Sequence, residues 1–159
     1  MPSDAKTLEH ARLDLERFVP YKLSVLSNRV SDAIARLYSD RFGLTIPEWR
    51  IMAVLGQTSG LSARDVAVRT AMDKVQVSRA VASLVEAKRV IREVDESDAR
   101  VSRLSLSARG RAIYDEIAPL ALHLEDVLLG ALTKEERRDL DAIMGKLAAR
   151  IGKLDVIPG

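Results

Sequence analysis

Apolar residues recur at helical spacing over the first part of the chain and predict two helices. One is expected over residues 4–18 and the other over residues 23–42, with Pro20 interrupting the pattern between them. Gly43 then follows as a C-terminal stop. The positions that carry the pattern are Leu8, Ala11, Leu15 and Phe18, and then Leu23, Leu26, Val30, Ile34, Leu37 and Tyr38.

Short polar signals mark where the next helices begin. Thr45-Ile-Pro-Glu48 is a capping box, in which the Thr and Glu side chains bond free backbone N–H groups, and it opens the apolar helix WRIMAVLGQ. Ser62 is expected to cap the short helix ARDVAVRT, and Asp73 to cap a helix over residues 74–88. Because only about three residues separate these two helices, the pattern predicts a helix-turn-helix.

Beyond this pair the pattern changes to alternating apolar and polar residues. Residues 90–94 and 101–106 therefore predict two strands, joined by the loop DESDAR. An apolar loop would be buried, but a loop with this much charge cannot be. We expect it to project from the hairpin as an exposed wing.

The last part of the chain returns to helical spacing. Ser107 is expected to cap a long helix that ends near Leu129, and Pro119 should kink this helix or split it in two. Thr133-Lys-Glu-Glu136 is a second capping box and opens a final helix that ends near Ile151. The predicted fold class is mainly α with a small β-hairpin wing, which is a winged helix-turn-helix with further helices on both sides.

Composition narrows the classes of function. The 159 residues are 47% apolar, enough for a core, and no apolar run of 18 residues suggests a membrane span. There is no cysteine, which excludes disulfides, thiolate metal sites and thiol redox sensing. Two histidines, His10 and His123, lie too far apart in sequence to suggest a zinc site. The charged N-terminus lacks the apolar centre of a signal peptide, so a cytoplasmic location is expected.

No pattern of catalytic residues is present in the sequence. It has no phosphate-binding glycine loop, nucleophile elbow, paired-carboxylate motif or metal-ligand spacing, so neither an enzyme nor a cofactor is expected. Charge is unevenly placed: residues 62–111 hold 11 Lys/Arg and 7 Asp/Glu, whereas the remainder holds 14 and 16. A basic middle between acidic flanks points to a polyanionic partner, with an ordinary solvated surface as the alternative.

The second helix of the pair carries side chains that suit the edges of DNA bases. Gln pairs with adenine, Arg and Lys pair with guanine, and Val contacts the thymine methyl group. The predicted contacts lie in the first two turns after Asp73, where a recognition helix meets bases, and are Lys74, Gln76, Val77, Ser78 and Arg79. Ser62 and Arg64, on the preceding helix, are also predicted contacts. The residues expected to pack inward are Val75, Ala82, Leu84 and Val85. The alternative is a surface helix with an ordinary polar face.

In the wing, Arg100 is the residue expected to reach DNA. An Arg side chain in a narrow A·T minor groove meets an enhanced negative potential. Asp98, two positions earlier, can hold that guanidinium in a fixed geometry. Arg92 and Arg103 can add phosphate contacts. The alternative is a surface ion pair that contributes less than about 1 kcal/mol and has no function.

Four segments in this order resemble motifs of the MarR family, the multiple-antibiotic-resistance regulators: LSARDVA, VSRAVASL, DESDAR and LSARG. The upstream LTIPEWRIMAVL also resembles a helix of the family, and the resemblance covers about residues 23–151. The chain departs from the family pattern at Ala99, where the family usually has the first of two wing arginines. It also has Lys88 and Arg89 where a Gly usually follows the recognition helix, which predicts a left-handed non-Gly residue there.

The resemblance implies a regulator of transcription, more commonly a repressor than an activator, that binds double-stranded DNA as a homodimer. Its domains would be N-terminal helices over residues 1–44, a DNA-binding core over 45–110, and C-terminal helices over 111–159 that form a helical dimerisation region with the first. The abundant apolar residues of the last helices fit a partner chain, with packing inside one chain as the alternative. A winged helix that only contacts other proteins remains open as a second function.

The resemblance also implies an effector, because such proteins often release DNA when a small anionic aromatic ligand binds between the dimer helices and the DNA-binding lobe. An aromatic acid or its thioester would be oriented by polar and amphipathic residues. The candidate lining residues are Tyr21, Asn28, Arg29, Tyr38, Trp49, Arg50 and His123. Alternatives are a core position for Trp49, a surface or interface position for His123, and ion pairs or phosphate contacts for Arg29 and Arg50.

Overall fold

The computed structural model describes residues 12–154. Its elements follow the order α1 (Val19–Ala35), α2 (Ser39–Phe42), α3 (Ile46–Gln57), α4 (Ala63–Thr70), α5 (Lys74–Glu86), β1 (Val90–Val94), β2 (Ser102–Leu106), α6 (Ala108–Leu129) and α7 (Lys134–Ile151). The mainly α fold class with a two-stranded wing is confirmed. Among the described residues, 12–117 form one compact unit and 118–154 form another. The predicted division at residues 44/45 and 110/111 stays a prediction.

The start of the chain differs from the sequence prediction. Residues 4–11 of the first predicted helix lie outside the described residues, and residues 12–18 hold only a turn, so the helix predicted there is wrong. Pro20 does not separate two helices but lies in the first turn of α1, where its missing N–H costs no hydrogen bond. The second predicted helix divides at residues 36–38, and Gly43 ends α2 with a left-handed φ of 62°.

The predicted helix starts are confirmed. Thr45 and Glu48 form the capping box of α3, and Asp73 caps α5 by accepting a hydrogen bond from the Gln76 N–H. Ser62 caps α4 in a full capping box with Asp65, and the hydrogen bonds from Ser62 lower the pKa of that carboxyl group. These caps fix where each helix of the helix-turn-helix begins, and therefore which side chains its first turn exposes.

The core of the first unit is built around α3. Three of its side chains, Ile51, Met52 and Leu55, are completely buried. They belong to a cluster that also includes Val66 of α4, Val81 and Leu84 of α5, Leu104 of β2 and Ile117 of α6. Because one cluster spans α3, both helices of the pair and the hairpin, the recognition helix has a fixed position relative to the wing.

Glu48 is a buried carboxylate that connects α3 to α5. One of its oxygens accepts the Thr45 N–H at 2.8 Å, and the other accepts the Ser83 hydroxyl of α5. A buried carboxylate needs hydrogen-bond donors, and both of these are present. The start of α3 is therefore tied directly to the middle of the recognition helix.

The wing is an antiparallel hairpin. Its register runs from the pair Val90 and Leu106 to the pair Val94 and Ser102 at the loop end. An isolated bridge between Leu61 and Leu104 adds a short third segment just before α4. The base of the hairpin is thus anchored to the start of the helix-turn-helix.

The turn that joins α5 to β1 is held by α6 and by α2. Ser107, just before α6, donates its hydroxyl to the Lys88 carbonyl at 2.7 Å and its N–H to the Arg89 carbonyl at 3.0 Å. The Arg89 guanidinium donates to the Phe42 carbonyl at the end of α2. Lys88 has a φ of 56°, so the left-handed residue expected in place of the usual Gly is found.

Replacing Lys88 with Gly should stabilise the protein by about 1 kcal/mol, because a left-handed conformation costs a residue with a Cβ about 1–2 kcal/mol and the freer unfolded Gly returns part of that. Urea unfolding followed by far-ultraviolet circular dichroism measures the change. Lys88→Ala is the matched control, since it removes the same side chain but keeps the Cβ. Equal stability of the Gly and Ala variants would contradict the strain assigned to this turn.

The second unit is helical. Helix α6 continues through Pro119 to Leu129, so the predicted split does not occur. Thr133 and Glu136 form the predicted capping box of α7, and the Arg137 Nε donates to the Leu129 carbonyl at 2.9 Å. No helix in residues 12–154 is long and apolar enough to cross a membrane.

Candidate nucleic-acid interface

The outer face of α5 is set by the position of its buried residues. Val77, Ala80, Val81 and Leu84 lie in the core, whereas Lys74, Gln76, Ser78 and Arg79 are exposed, as predicted for the last four. Val77 was predicted to face DNA, but only 2% of its surface is exposed, so it packs inward. Val75 and Ala82 were predicted to pack inward, but both are exposed. The inner face of α5 therefore includes Val77 and excludes Val75 and Ala82, the reverse of the prediction for these three residues.

A cleft of about 520 Å³ lies between the helix pair and the hairpin. Seven of the eleven residues predicted to form the DNA-binding site, a set that includes Asp98 as the support of Arg100, line this cleft: Ser62, Arg64, Lys74, Val77, Ser78, Arg92 and Arg100. Its remaining lining comes from Ala63, Val81, Val101, Ser102 and Leu104, which the sequence prediction did not include. The alternation of β2 could have placed Ser102 and Leu104 on one face, because residues two apart in a strand share a face.

The lining of this cleft is cationic. It includes Arg64, Lys74, Arg92 and Arg100, and it contains no carboxylate. Within residues 12–154, only Arg100 of these four forms an ion pair. Four positive charges around a concave surface produce a positive potential that attracts a polyanion such as a phosphate backbone.

The loop of the wing is organised by Asp95. One oxygen of this carboxylate accepts the Ser97 hydroxyl and the N–H groups of Ser97 and Asp98, and the other accepts the Arg103 Nε. The Ser97 hydroxyl, followed by the Arg103 guanidinium, holds the pKa of Asp95 well below its usual range. The acidic residue therefore shapes the loop and stays charged.

Arg100 lies at the tip of the wing. Its side chain is 91% exposed, and its Nε is 3.2 Å from an Asp98 oxygen that also accepts the Arg100 N–H at 3.0 Å. The geometry is the one expected from the sequence, with Asp98 orienting the guanidinium. The outer nitrogens make no hydrogen bond to any described residue, so they are free to donate to a ligand.

Arg92 and Arg103 occupy different faces of the hairpin. Arg92 is paired with Leu104, and it lines the cleft. Arg103 is paired with Glu93, one position along, and its Nε is bonded to Asp95. Arg103 therefore stabilises the loop through Asp95, and its charge is partly neutralised by that ion pair.

The residues predicted to line an effector pocket are distributed over several places. Asn28 and Arg50 line a cleft of about 400 Å³ together with Asp32, Met72 and Gln76, and the Arg50 Nη2 donates to the Ser31 hydroxyl at 3.0 Å. Tyr21 and Arg29 line a separate groove along α1. His123 is exposed on the part of α6 that belongs to the second unit. The described residues of one chain do not gather these side chains in a single cavity.

Tyr38 and Trp49 belong to the core. Their ring centroids are 5.6 Å apart, and Trp49 also stacks on Tyr114 at 6.0 Å. Tyr38 is almost completely buried, and this burial raises the pKa of its hydroxyl to about 12. The core position that the sequence left open for Trp49 is therefore the observed one, and Tyr38 shares it.

This chain is similar in sequence to known regulators of transcription. The sequence model of the MarR family matches residues 42–101, which run from the end of α2 into the wing. The HTH-type transcriptional repressor Rv2887 of Mycobacterium tuberculosis is 28% identical over 126 residues, which cover 79% of this chain and 87% of that protein.

Two solved structures are also similar. The crystal structure of a MarR/EmrR family transcriptional regulator from Acinetobacter sp. ADP1 superposes with a TM-score of 0.82 and 25% identity, over 89% of this chain and 100% of that one. A MarR family transcriptional regulator from Silicibacter pomeroyi has a TM-score of 0.76 and 27% identity, over 92% of this chain and 100% of that one.

Proposed function

Since this chain belongs to the MarR family of transcriptional regulators, we propose that it is a repressor that binds a pseudo-palindromic operator as a homodimer and releases it when a small anionic aromatic effector binds. The similarity to a transcriptional repressor over most of the chain supports repression. We also propose that the protein acts in the cytoplasm, where it would meet its operator. It is proposed not to be an enzyme, because binding and releasing DNA require no catalysed reaction.

The cationic cleft beside α5 is the observation that carries the proposal. A helix that lies in the major groove presents its first turns to the bases while neighbouring elements contact the backbone. Lys74 and Arg79 are exposed in those turns, and Arg64 and Arg92 lie at the sides where phosphates would pass. The wing tip with Arg100 extends the same positive surface towards the adjacent minor groove.

The homodimer is supported by large apolar side chains that remain exposed in each unit. In the second unit, α7 has no buried residue, and the exposed apolar side chains among the described residues are Leu120, Leu122, Val127, Leu128, Leu140, Ile143, Met144, Leu147, Ile151 and Leu154. In the first unit, α1 exposes Val19, Tyr21, Leu23 and Leu26. A two-fold dimer would place its recognition helices about one helical turn of DNA apart, or ~10 base pairs.

Selection of duplexes from a random DNA pool by the purified protein tests the proposal. We expect an enriched inverted repeat with ~10 base pairs between half-site centres. Arg100→Ala should weaken binding of that repeat by about tenfold, with the unfolding midpoint unchanged, because the side chain is exposed and contacts only Asp98. Arg138→Ala, an exposed charge removed from α7, is the matched control and should bind as the parent does.

Two outcomes would contradict the proposal. If Arg100→Ala bound the repeat as tightly as the parent, the wing would not contact DNA. If a folded, dimeric protein enriched no duplex, the winged helix would serve protein contacts instead, and binding without the steep salt dependence of phosphate neutralisation would point the same way.

For the effector we propose the cleft lined by Asn28, Arg50 and Gln76 as the binding site. Arg50 supplies a cation for a carboxylate, and Gln76 belongs to the first turn of the recognition helix, so an occupant would contact that helix directly. Such a ligand weakens operator binding only if it binds the DNA-free state more tightly.

A panel of aromatic acids and their thioesters, added to the protein–operator complex, tests this site. At least one compound should lower operator affinity by about fivefold or more. Arg50→Ala should keep operator binding but lose the response to that compound, and Arg29→Ala, on the separate α1 groove, serves as the control. Unchanged operator affinity at saturating concentrations of all the compounds would exclude them as effectors.

A further inference from the structure

Val75 is an exposed apolar side chain in the first turn of the recognition helix. It follows Lys74 and precedes Gln76, and 60% of its surface is exposed. A β-branched residue at an exposed helix position has a lower helix propensity than the straight-chain polar residues around it. Neither folding nor the core therefore accounts for a valine at this position.

The phase of α5 puts Val75 at the centre of the outer face. Successive side chains turn by about 100° around a helix. The buried residues Val77, Ala80, Val81 and Leu84 define the inner side, and Val75, Arg79 and Ala82 fall opposite to them. A surface that docks against this face meets Val75 and Arg79 first.

The neighbours of Val75 are directed to either side of it. Lys74 and Ser78 line the cleft shared with the wing, whereas Gln76 lines the cleft shared with α1 and Arg50. Val75 thus lies between polar residues on both sides, and no other side chain of the same turn shares the centre of the outer face with it. Its isopropyl group is the most exposed apolar group in the first two turns of α5.

The major groove offers one apolar group for such a side chain to contact. Among the base edges exposed there, only thymine carries a methyl group, at C5. We propose that Val75 is a specificity-determining residue that recognises a thymine methyl group in each half-site of the operator. This inference rests on the proposed function, because it names the base that the recognition helix selects.

Arg79 fixes where that thymine should lie. It follows Val75 by four residues, which is about 6 Å along the helix axis. Since base pairs are stacked about 3.4 Å apart, the thymine contacted by Val75 and a guanine contacted by Arg79 lie within about two base pairs of each other. The selected operator should contain this T and G combination in both half-sites.

The test replaces thymine with uracil, one position at a time, in the operator obtained by selection. Uracil lacks only the methyl group and keeps every hydrogen-bonding atom of thymine. At one position per half-site the parent protein should lose about fourfold in affinity, and about 16-fold when both half-sites are changed, from the free energy of burying one methyl group. Val75→Ala, which lacks the two terminal methyl groups of valine, should lose most of the difference in affinity between the thymine and uracil operators. Val68→Ala, which truncates an even more exposed valine on α4, should keep the full dependence on the methyl group.

Three results overturn the inference, and they can be told apart. If the parent binds thymine and uracil operators equally at every position, no methyl group is recognised. If Val75→Ala keeps the parent's loss on uracil, another side chain recognises the methyl group. If no duplex is enriched in the first place, the proposed function fails and this inference fails with it. Alanine favours the helix more than valine does, so the variant should fold.

Discussion

Gly110→Ala should lower the free energy of unfolding by about 3 kcal/mol or more. A Cβ at this position would lie 2.0 Å from the Arg89 carbonyl oxygen and 3.0 Å from its carbon. Both atoms belong to backbone, so no side chain can rotate away to make room. Overpacking of this kind usually costs about 1–3 kcal/mol, and movement of α6 would add the loss of hydrogen bonds.

The hydrogen bonds at risk are those of Ser107. It donates to the Lys88 and Arg89 carbonyls, and its hydroxyl accepts the Gly110 N–H at 2.9 Å. Moving Gly110 away from Arg89 to an ordinary contact distance would pull these atoms apart. The turn after the recognition helix would then lose its support from α6.

Urea unfolding followed by circular dichroism measures the loss. Gly145→Ala is the matched control: a Cβ there meets nothing within 4 Å, and Ala in place of Gly inside α7 should add about 0.5–1 kcal/mol. A Gly110→Ala protein as stable as the parent would show that the contact between α6 and the turn is not tight.

Arg79→Ala should lower affinity for the selected operator by about 5- to 150-fold, which corresponds to the ~1–3 kcal/mol of a good base contact. Arg79 is exposed on the outer face of α5 and forms no ion pair with a described residue. Its removal should also relax the preference for guanine at one position, whereas loss of a phosphate contact weakens binding to all sequences alike.

Arg79→Lys separates charge from geometry. Lysine keeps the positive charge but lacks the planar fork that bonds both guanine acceptors, so the salt dependence should stay close to that of the parent while the guanine preference falls. Competition binding with operators that differ at the single position gives both quantities. If Arg79→Ala weakened operator and random DNA equally, the residue would contact phosphate and not a base.

Local chemistry explains which parts of the fold could be predicted. The starts of α3, α4, α5 and α7 were predicted because each cap is a contact between residues three apart in sequence. The wing was predicted from alternation and from its charged loop. The prediction that Pro20 separates two helices was wrong because a proline is equally compatible with a helix break and with the first turn of a helix. Only the packing of α1 distinguishes these two positions.

The candidate site was predicted in its residue types more accurately than in its orientations. Val75 was predicted to pack inward and Val77 to face DNA, and the structure shows the opposite. The helical spacing of Val77, Val81 and Leu84 would have identified the inner face of α5. Tyr38 was predicted to line a pocket, and Trp49 either to line it or to lie in the core. Both lie in the core, and local sequence could not decide this because Tyr114, which stacks on Trp49, comes from a distant part of the chain. The ion pair of Arg103 with Asp95 depends on the fold of the loop, which no local pattern specifies.

The capping contacts described above have a consequence for how the chain folds. Helix nucleation is unfavourable because several residues must be ordered before the first hydrogen bond forms. A side chain that already bonds the first turn reduces that cost, and three of the helices in residues 12–154 begin with a reciprocal pair of such bonds. Helical turns should therefore form early and in the correct register, which leaves the closure of the hairpin against α4 as the slower, non-local step.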